Sequence, residues 1–442
     1  LTPSISINLF FSTTCCILAQ KLYNLCPCLI QKFLSQLFFQ FFSAETFASA
    51  ILHALPEYHK VAEWKIIKKF DVKNFKNFKE KITMNFSEVG GYQFNTECIS
   101  HNTLGKMLVY GKNATGKTNL GRAITDIKNV LFFSAMSEES SFLNADSTEE
   151  YAEFCYDFQI GEDEVQYSYR KKSISFLSYE ELRINGEEYF TTRIFSGGMV
   201  LSPSESLLKQ NVNVERYSEA YEQIDESNQR KTIPFLRWLV NNTALPEDSV
   251  VMKLYNYVKG MTFITLKNES YRRTSADFFK ALEKNENLQD FENFLNTMGV
   301  ACELEIQRLP DDTIELYFRH NRKVNFLQTA SSGTLALFDM YRMLQTFQCI
   351  TFMYLDEFDA FYHYEMSENM IAFLKGKYPD SQIVMTTHNT NLMTNRIMRP
   401  DCLFILSAFG TLTPLCDATN RELREGHNLE KLYISGEFEA YE

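Results

Sequence analysis

The sequence lacks an excess of basic residues, extended heptads and repetitive segments. Its 442 residues include 44 Lys and Arg against 56 Asp and Glu, which gives a net charge of −12. A protein coated in positive charge for holding DNA or RNA is therefore disfavoured, although a local basic groove is not excluded. There is no heptad run long enough for an extended coiled coil, no internal repeat and no low-complexity linker.

Paired cysteines at metal-binding spacing are also lacking. The cysteines of the main body are Cys98, Cys155, Cys302, Cys349, Cys402 and Cys416. Scattered positions of this kind are typical of reduced, buried thiols, so we expect a cytoplasmic protein. Four further cysteines lie near the start, but without other ligands at familiar spacing they do not favour a soft-metal site. They are Cys15, Cys16, Cys26 and Cys28.

Residues 1–63 differ from the rest of the chain, because they contain no Met and are rich in Phe, Leu and Cys. A membrane span needs about 18 uninterrupted apolar residues, and Lys21, Lys32 and Glu45 divide this region into shorter pieces. It also has no basic segment followed by a small-residue cleavage site, so no signal peptide is predicted. We expect translated upstream sequence, with the native start near Val61 at a non-AUG codon. The alternative is an added helical hairpin.

What the sequence does contain is a glycine loop, "GKNATGKT", at residues 111–118. The apolar stretch "KMLVYG" (106–111) precedes it and is typical of a strand. A helix is predicted after it, because apolar residues recur there at helical spacing: Leu120, Ala123, Ile124, Ile127 and Leu131. A strand, this loop and a helix in that order predict a phosphate-binding site, and a chance match to the spacing is the alternative.

The chemistry of such a loop assigns roles to its residues. Gly111 and Gly116 permit the tight turn and the close approach of the backbone to a phosphate. Lys117 would bridge β- and γ-phosphate oxygens, and the Thr118 hydroxyl would ligate Mg²⁺. The residues expected to contact the nucleotide here are Gly111, Asn113, Ala114, Thr115, Gly116, Lys117, Thr118 and Asn119.

Two later apolar stretches end in polar residues that suit hydrolysis. "FMYLDEFDA" (352–360) places Asp356 and Glu357 at the end of a strand. Asp356 would hold Mg²⁺ through water, and Glu357 would act as general base on the attacking water; a strand end reaching solvent is the alternative. "MTTHN" (385–389) follows another apolar strand, and His388 could donate to the γ-phosphate, although a lone His is often structural.

"SSGT" (331–334) opens a helix and predicts a second anion site at its N-terminus, formed by Ser331 and Gly333. The simpler alternative is an ordinary N-cap. This helix cannot easily reach the same γ-phosphate within one subunit. In a head-to-tail dimer each nucleotide would lie between one subunit's loop and the other's Ser331 helix.

We predict an α/β fold: a P-loop NTPase with a mixed core sheet, an antiparallel β lobe and an inserted helical arm. Residues 64–149 would form the first half of the core, 150–320 the inserted lobe and arm, and 321–442 the second half. Turns are predicted at Gly161 and at Asn185-Gly186, and helices over about 203–298.

The order of these motifs resembles the ATP-binding-cassette superfamily, and within it the SMC and recombination-repair type of ATPase head. The stretches "VYGKNATGKTNLGRAI", "LDEFDAFYH", "VMTTHNTNLMTNRIMRPDC" and "LREGHNLEKLYISGEFEAY" resemble the bacterial RloA-like and OLD-like ATPases, often called AAA-type. The resemblance implies ATP with Mg²⁺, catalytic roles for Lys117, Glu357 and His388, and action across a dimer interface for Ser331, Gly333 and Asp359.

There are departures from the pattern. Ser332 and Thr334 stand where transporters commonly have Gly and Gln, and for the Mg²⁺-sensing Gln only Gln159 and Gln166 offer themselves. About 35 residues follow the "FIL" strand, so we expect this chain to lack the Toprim nuclease of OLD-type proteins.

The resemblance implies an ATP-gated switch that dimerises on ATP in bacterial anti-phage defence or restriction-linked systems and acts with a separate effector such as a nuclease or toxin. The alternative is a DNA repair or recombination ATPase that binds DNA directly. No membrane partner is expected.

Overall fold

The computed structural model describes residues 64–132, 141–195, 198–210, 212–219, 232–266, 275–283, 285–347 and 349–442. Nearly all of them belong to one compact unit, Trp64–Thr346 with Ile350–Glu442. In this part of the chain no helix has the length and apolarity that crossing a membrane requires. The expectation for residues 1–63 lies outside the described residues.

The strands form two large sheets and two small ones. They are β1 Lys65–Lys73, β2 Ile82–Asn85, β3 Ile99–Ser100, β4 Thr103–Leu104, β5 Lys106–Tyr110, β6 Ala152–Ile160, β7 Asp163–Lys171, β8 Leu177–Ile184, β9 Glu187–Phe195, β10 Gly198–Pro203, β11 Met261–Thr265, β12 Leu304–Arg308, β13 Ile314–Phe318, β14 Val324–Asn325, β15 Phe352–Asp356, β16 Gln382–Thr387, β17 Leu403–Leu406 and β18 Leu412–Pro414.

The α-helices connect and cover these strands. They are α1 Lys117–Ile124, α2 Asp126–Phe132, α3 Glu205–Leu208, α4 Val214–Glu219, α5 Phe235–Asn242, α6 Val250–Lys259, α7 Ser275–Leu282, α8 Asn285–Thr297, α9 Phe326–Thr329, α10 Ser332–Thr346, α11 Tyr364–Lys377 and α12 Leu429–Ile434. The apolar face predicted after the loop is buried, and it is shared by α1 and α2.

The core sheet has the strand order β11-β15-β16-β5-β17-β18. Its first five strands are parallel and β18 is antiparallel, so the sheet is mixed. Every residue of β5, β15 and β16 is buried, as expected for parallel strands covered on both faces. The carboxyl ends of β5, β15 and β16 therefore meet at one edge, where α/β folds bind ligands.

The second large sheet is antiparallel, in the order β10-β9-β8-β7-β6-β1-β2. Its strands alternate buried and less buried residues, which indicates one packed face. The predicted turns are confirmed: Gly161 has φ 61° between β6 and β7, and Asn185-Gly186 has φ 53° and 79° between β8 and β9. The predicted α/β fold class, with a mixed core sheet and an antiparallel lobe, is confirmed.

One element differs from the expectation of a helical stretch over about 203–298. Residues 261–265 form β11, which pairs in parallel with β15. The prediction was wrong there because this short segment takes its strand conformation from a partner about 90 residues later in the chain. The segment assigned to an inserted arm thus supplies an edge strand of the core sheet.

Helix α1 lies close against the core sheet because Gly121 has no side chain. A Cβ built on Gly121 would lie 2.4 Å from the Tyr354 ring of β15. The Tyr354 hydroxyl in turn donates to the Lys117 carbonyl at 2.6 Å. These contacts fix the start of α1 relative to β15.

A buried ion pair joins α2 to the antiparallel sheet. Lys171 Nζ lies 2.9 Å from both Asp126 oxygens, and the Tyr169 hydroxyl donates to Asp126 Oδ2 at 2.9 Å. We expect Lys171→Met to lower the free energy of unfolding by about 3–5 kcal/mol, because it leaves a buried carboxylate without its cation. Urea unfolding measures this loss.

The neighbouring Lys172 provides a matched control, since its side chain is 36% exposed and pairs with Glu150 at the surface. Lys172→Met should cost at most about 1 kcal/mol. Equal losses for the two variants would contradict the assignment of Lys171 to a buried pair.

Candidate functional site

The glycine loop at residues 111–118, the predicted phosphate loop, runs from the end of β5 to the start of α1. Gly116 caps α1 with φ 104°, and Ala114 has φ 66°. A Cβ on Gly111 would lie 2.6 Å from Thr115 Oγ1, so the loop is too tight there for a side chain. The two glycines of the motif are therefore required by the local backbone, as predicted from their spacing.

Lys117 is held within the loop. It is only 4% exposed, and its Nζ donates to the carbonyls of Gly111 at 2.6 Å and Lys112 at 3.0 Å. The ammonium group is thus positioned inside the curve of the loop. The other residues expected to contact a nucleotide are Asn113, Ala114 and Thr115 in the loop and Asn119 in the first turn of α1.

The start of α1 and the end of β15 are joined through two side chains. Thr118 Oγ1 donates to Asp356 Oδ2 at 2.7 Å, although 238 residues separate them in sequence. Asp356 is 2% exposed, so its carboxylate depends on such partners. The structure therefore brings together the two residues predicted to hold the metal.

Glu357 follows directly and adopts φ 46°, an uncommon conformation for a residue with a side chain. Backbone strain of this kind is concentrated at functional sites. Its N–H donates to Thr386 Oγ1 on the adjacent strand β16 at 2.8 Å. The predicted general base thus sits in a turn held by β16.

The end of β16 carries His388, which is exposed. The preceding residue, Thr387, donates from Oγ1 to Asp359 Oδ2 at 2.7 Å and accepts from the Asn389 N–H at 2.9 Å. Burial raises the pKa of Asp359, and the Thr387 hydrogen bond opposes this shift. Asp359 is 6% exposed within its own subunit, and its predicted action across an interface stays a prediction.

Ser331 lies exposed at the N-terminus of α10. Its Oγ accepts from the Thr334 N–H at 3.2 Å, which is the hydrogen bond of an ordinary N-cap, the simpler alternative to an anion site. A Cβ on Gly333 would lie 3.1 Å from the Phe361 carbonyl. The start of α10 therefore adjoins the turn that follows Asp359, and the second-subunit roles of Ser331 and Gly333 remain predictions.

Asn77 was not predicted from the sequence, yet it packs on the phosphate loop. Its Nδ2 donates to the Thr115 carbonyl at 3.1 Å, and its Oδ1 accepts from Asn119 Nδ2 at 2.8 Å. A Cβ on Gly116 would lie 2.2 Å from Asn77 Nδ2. The only sequence signal was a polar residue between two strands ahead of the loop, which is too common to single out.

The two glutamines considered as Mg²⁺ sensors bond within the antiparallel sheet. Gln159 donates to the Gly161 carbonyl at 3.1 Å, and Gln166 donates to Asp157 at 2.8 Å.

The side chains at this edge suit a magnesium nucleotide. In the described ranges no cluster of three or more His, Cys, Asp or Glu could hold a metal ion by itself. Thr118 and Asp356 supply hard oxygen donors, and Mg²⁺ is usually held by one or two such groups together with phosphate oxygens. The residues present therefore fit a metal that arrives with its nucleotide.

A family model described as "AAA domain, putative AbiEii toxin, Type IV TA system" matches residues 106–394, more than half of the chain. The match extends from β5 to just beyond His388.

The solved structures that resemble this chain include SMC heads. The SMC head domain from Thermotoga maritima shares 16% identity at a TM-score of 0.38 and covers 79% of this chain and 98% of its own. A Pyrococcus yayanosii Smc head with a coiled coil and joint shares 15% at 0.39, covering 77% and 95%. An Smc head bound to the winged-helix domain of ScpA shares 15% at 0.37, covering 77% and 93%. A search of curated proteins gives no significant match.

Proposed function

Because the chain belongs to this AAA-domain family, we propose that it binds and hydrolyses ATP with Mg²⁺ as a switch that closes into a dimer. The observation that carries the proposal is the hydrogen bond from Thr118 to Asp356. This bond joins the end of the phosphate loop to the carboxyl end of β15, although the two lie more than 200 residues apart in sequence. Nothing in ordinary core packing calls for a carboxylate at that point.

In this proposal the chain's own groups divide the work. The loop N–H groups and Lys117 bind the phosphates and neutralise their charge. Thr118 and Asp356 hold the metal, which when bound would offset charge on the β- and γ-phosphates. Glu357 orients the attacking water and accepts its proton.

The exposed positions of His388 and Ser331 support a site completed by a second copy of the chain. The segment whose Phe361 carbonyl adjoins Gly333 carries two exposed large apolar side chains, Phe361 and Tyr364, each 45% exposed. Apolar side chains of this size are enriched where proteins meet. In the proposed dimer Ser331 and Gly333 bind the γ-phosphate held by the partner's loop, and Asp359 lies near the interface.

The biological setting that we propose is defence. The description of the matching family names a toxin of a toxin–antitoxin system. The motifs of this chain resemble those of RloA-like and OLD-like ATPases. We infer a regulatory ATPase of an anti-phage or restriction-linked system whose nucleotide state is passed to a separate effector protein.

Mixing two inactive variants tests the shared site. Lys117→Ala removes the loop cation, and Ser331→Arg blocks the start of α10. Each variant alone should be inactive. Heterodimers retain one intact site, so an equimolar mixture should recover about a quarter of the wild-type ATPase rate by random pairing of subunits. The measurement is phosphate release at constant total protein.

Recovery must depend on contact between the chains, so it should fade on dilution below the dimer dissociation constant. A mixture as inactive as its components would show that each site is complete within one subunit. In that case ATP hydrolysis by the wild type could still stand, but the dimer proposal could not.

A further inference from the structure

We propose that Thr386 is a positioning residue for metal-nucleotide binding and hydrolysis, acting through Asp356 and Glu357. This inference rests on the proposed function. Thr386 lies on β16, one strand over from the acidic pair, and no motif in the sequence assigns it a role. Its side chain is fully buried, with 0% exposure.

A single hydroxyl makes both contacts. Thr386 Oγ1 donates to Asp356 Oδ1 at 3.1 Å and accepts from the Glu357 N–H at 2.8 Å. A hydroxyl has one donor and two acceptor positions, so both bonds can form at once. Valine has the same shape and could make neither of them.

The first bond completes the support of the Asp356 carboxylate. Oδ2 accepts from Thr118 and Oδ1 accepts from Thr386, so each oxygen has a hydroxyl donor. Both the donors and the carboxylate are fixed on rigid elements, α1, β15 and β16. Groups that orient a metal-binding carboxylate in this way affect metal affinity although they do not touch the metal.

The second bond supports the strained turn at Glu357. The φ of 46° costs energy for a residue with a side chain, and such a turn persists only where its surroundings hold it. The bond from the Glu357 N–H to Thr386 supplies this restraint on the side of β16. Loss of the hydroxyl should therefore misplace the general base as well as the metal carboxylate.

The test compares hydroxyl with no hydroxyl at position 386. Thr386→Val should leave ADP affinity in EDTA within about twofold of wild type, because the loop contacts remain. The Mn²⁺ concentration that half-saturates the ADP complex, read by electron paramagnetic resonance, should rise about tenfold or more, since one hydrogen bond to a charged group is lost. The turnover number should fall by a similar factor.

Thr386→Ser and Thr386→Ala form a second pair, which share the loss of the methyl group and differ in the hydroxyl. The serine variant should bind Mn²⁺ within about threefold of wild type, and the alanine variant should behave like valine. Because both variants lack the methyl group, their difference reports the hydroxyl even if the valine variant folds poorly.

Thr262→Val is the matched control. Thr262 is 4% exposed on β11, which flanks β15 on the opposite side and pairs it at Met353. This variant should leave Mn²⁺ binding unchanged.

Metal binding that is equal in all position-386 variants would overturn the inference, as would an equal loss of ADP affinity with and without metal, which marks a structural role. If the wild type itself shows no metal-dependent nucleotide binding, the proposed function fails instead.

Discussion

Glu357→Gln will stop ATP turnover while the protein still binds ATP. Glutamine keeps the size and polarity of glutamate but cannot accept a proton from the attacking water. General base catalysis contributes about 10²–10⁴-fold, so the turnover number should fall at least 100-fold. The neighbouring Asp356 and Thr118 retain their hydrogen bond, so ATP affinity should stay within a few-fold of wild type.

The same variant should trap the dimer, because the nucleotide that joins two subunits is no longer cleaved. Light scattering after size-exclusion chromatography in ATP and Mg²⁺ would measure this. Glu365→Gln is a suitable control, since Glu365 is an exposed residue of the first turn of α11. A Glu357→Gln protein that turns over ATP at the wild-type rate would remove Glu357 from the mechanism, and a monomer in ATP would contradict the dimer.

Lys117→Ala will bind ATP far more weakly than the wild type. The ammonium group is buried in the loop, and in the proposed site it would contact two phosphate groups. Each hydrogen bond between charged partners contributes about 1.5–3 kcal/mol, so the dissociation constant for ATP should rise about 100-fold or more. Isothermal titration calorimetry or a fluorescent ATP analogue would measure the change.

Lys79→Ala is its control, because Lys79 is an exposed lysine of the segment between β1 and β2. It should bind ATP as the wild type does. Tight ATP binding by Lys117→Ala would refute the assignment of the phosphate loop, and with it the ATPase proposal.

The core of the fold was predictable because its signals are local. Buried parallel strands are continuous apolar runs, which marked β15, β16 and β17, and a glycine loop between strand and helix identifies itself by spacing. The order of the motifs then implied that Thr118 and Asp356 would meet. The structure brings them within 2.7 Å.

The features that could not be predicted from the sequence depend on contacts between residues that are distant in sequence. β11 is a strand only because β15 lies beside it, and Asn77 matters only because the loop folds under it. Thr386 and Thr387 are ordinary β-strand residues until β15 and the Asp359 turn are set next to them. Spacing rules describe residues that are close in sequence. Thr387 and Asp359 are 28 residues apart in sequence, and Asn77 and Thr115 are 38 apart.

The side chain of Gln382 has a mechanical consequence. Gln382 is the first residue of β16, and its side chain binds β1 of the antiparallel sheet. It accepts from the Ile67 N–H at 2.8 Å and donates to the Ile67 carbonyl at 2.9 Å. Tyr257 of α6 adds a third bond at 3.1 Å. His388 follows the opposite end of the same strand. These bonds join the start of β16 to β1, so a displacement of β16 at its His388 end would also act on the antiparallel sheet.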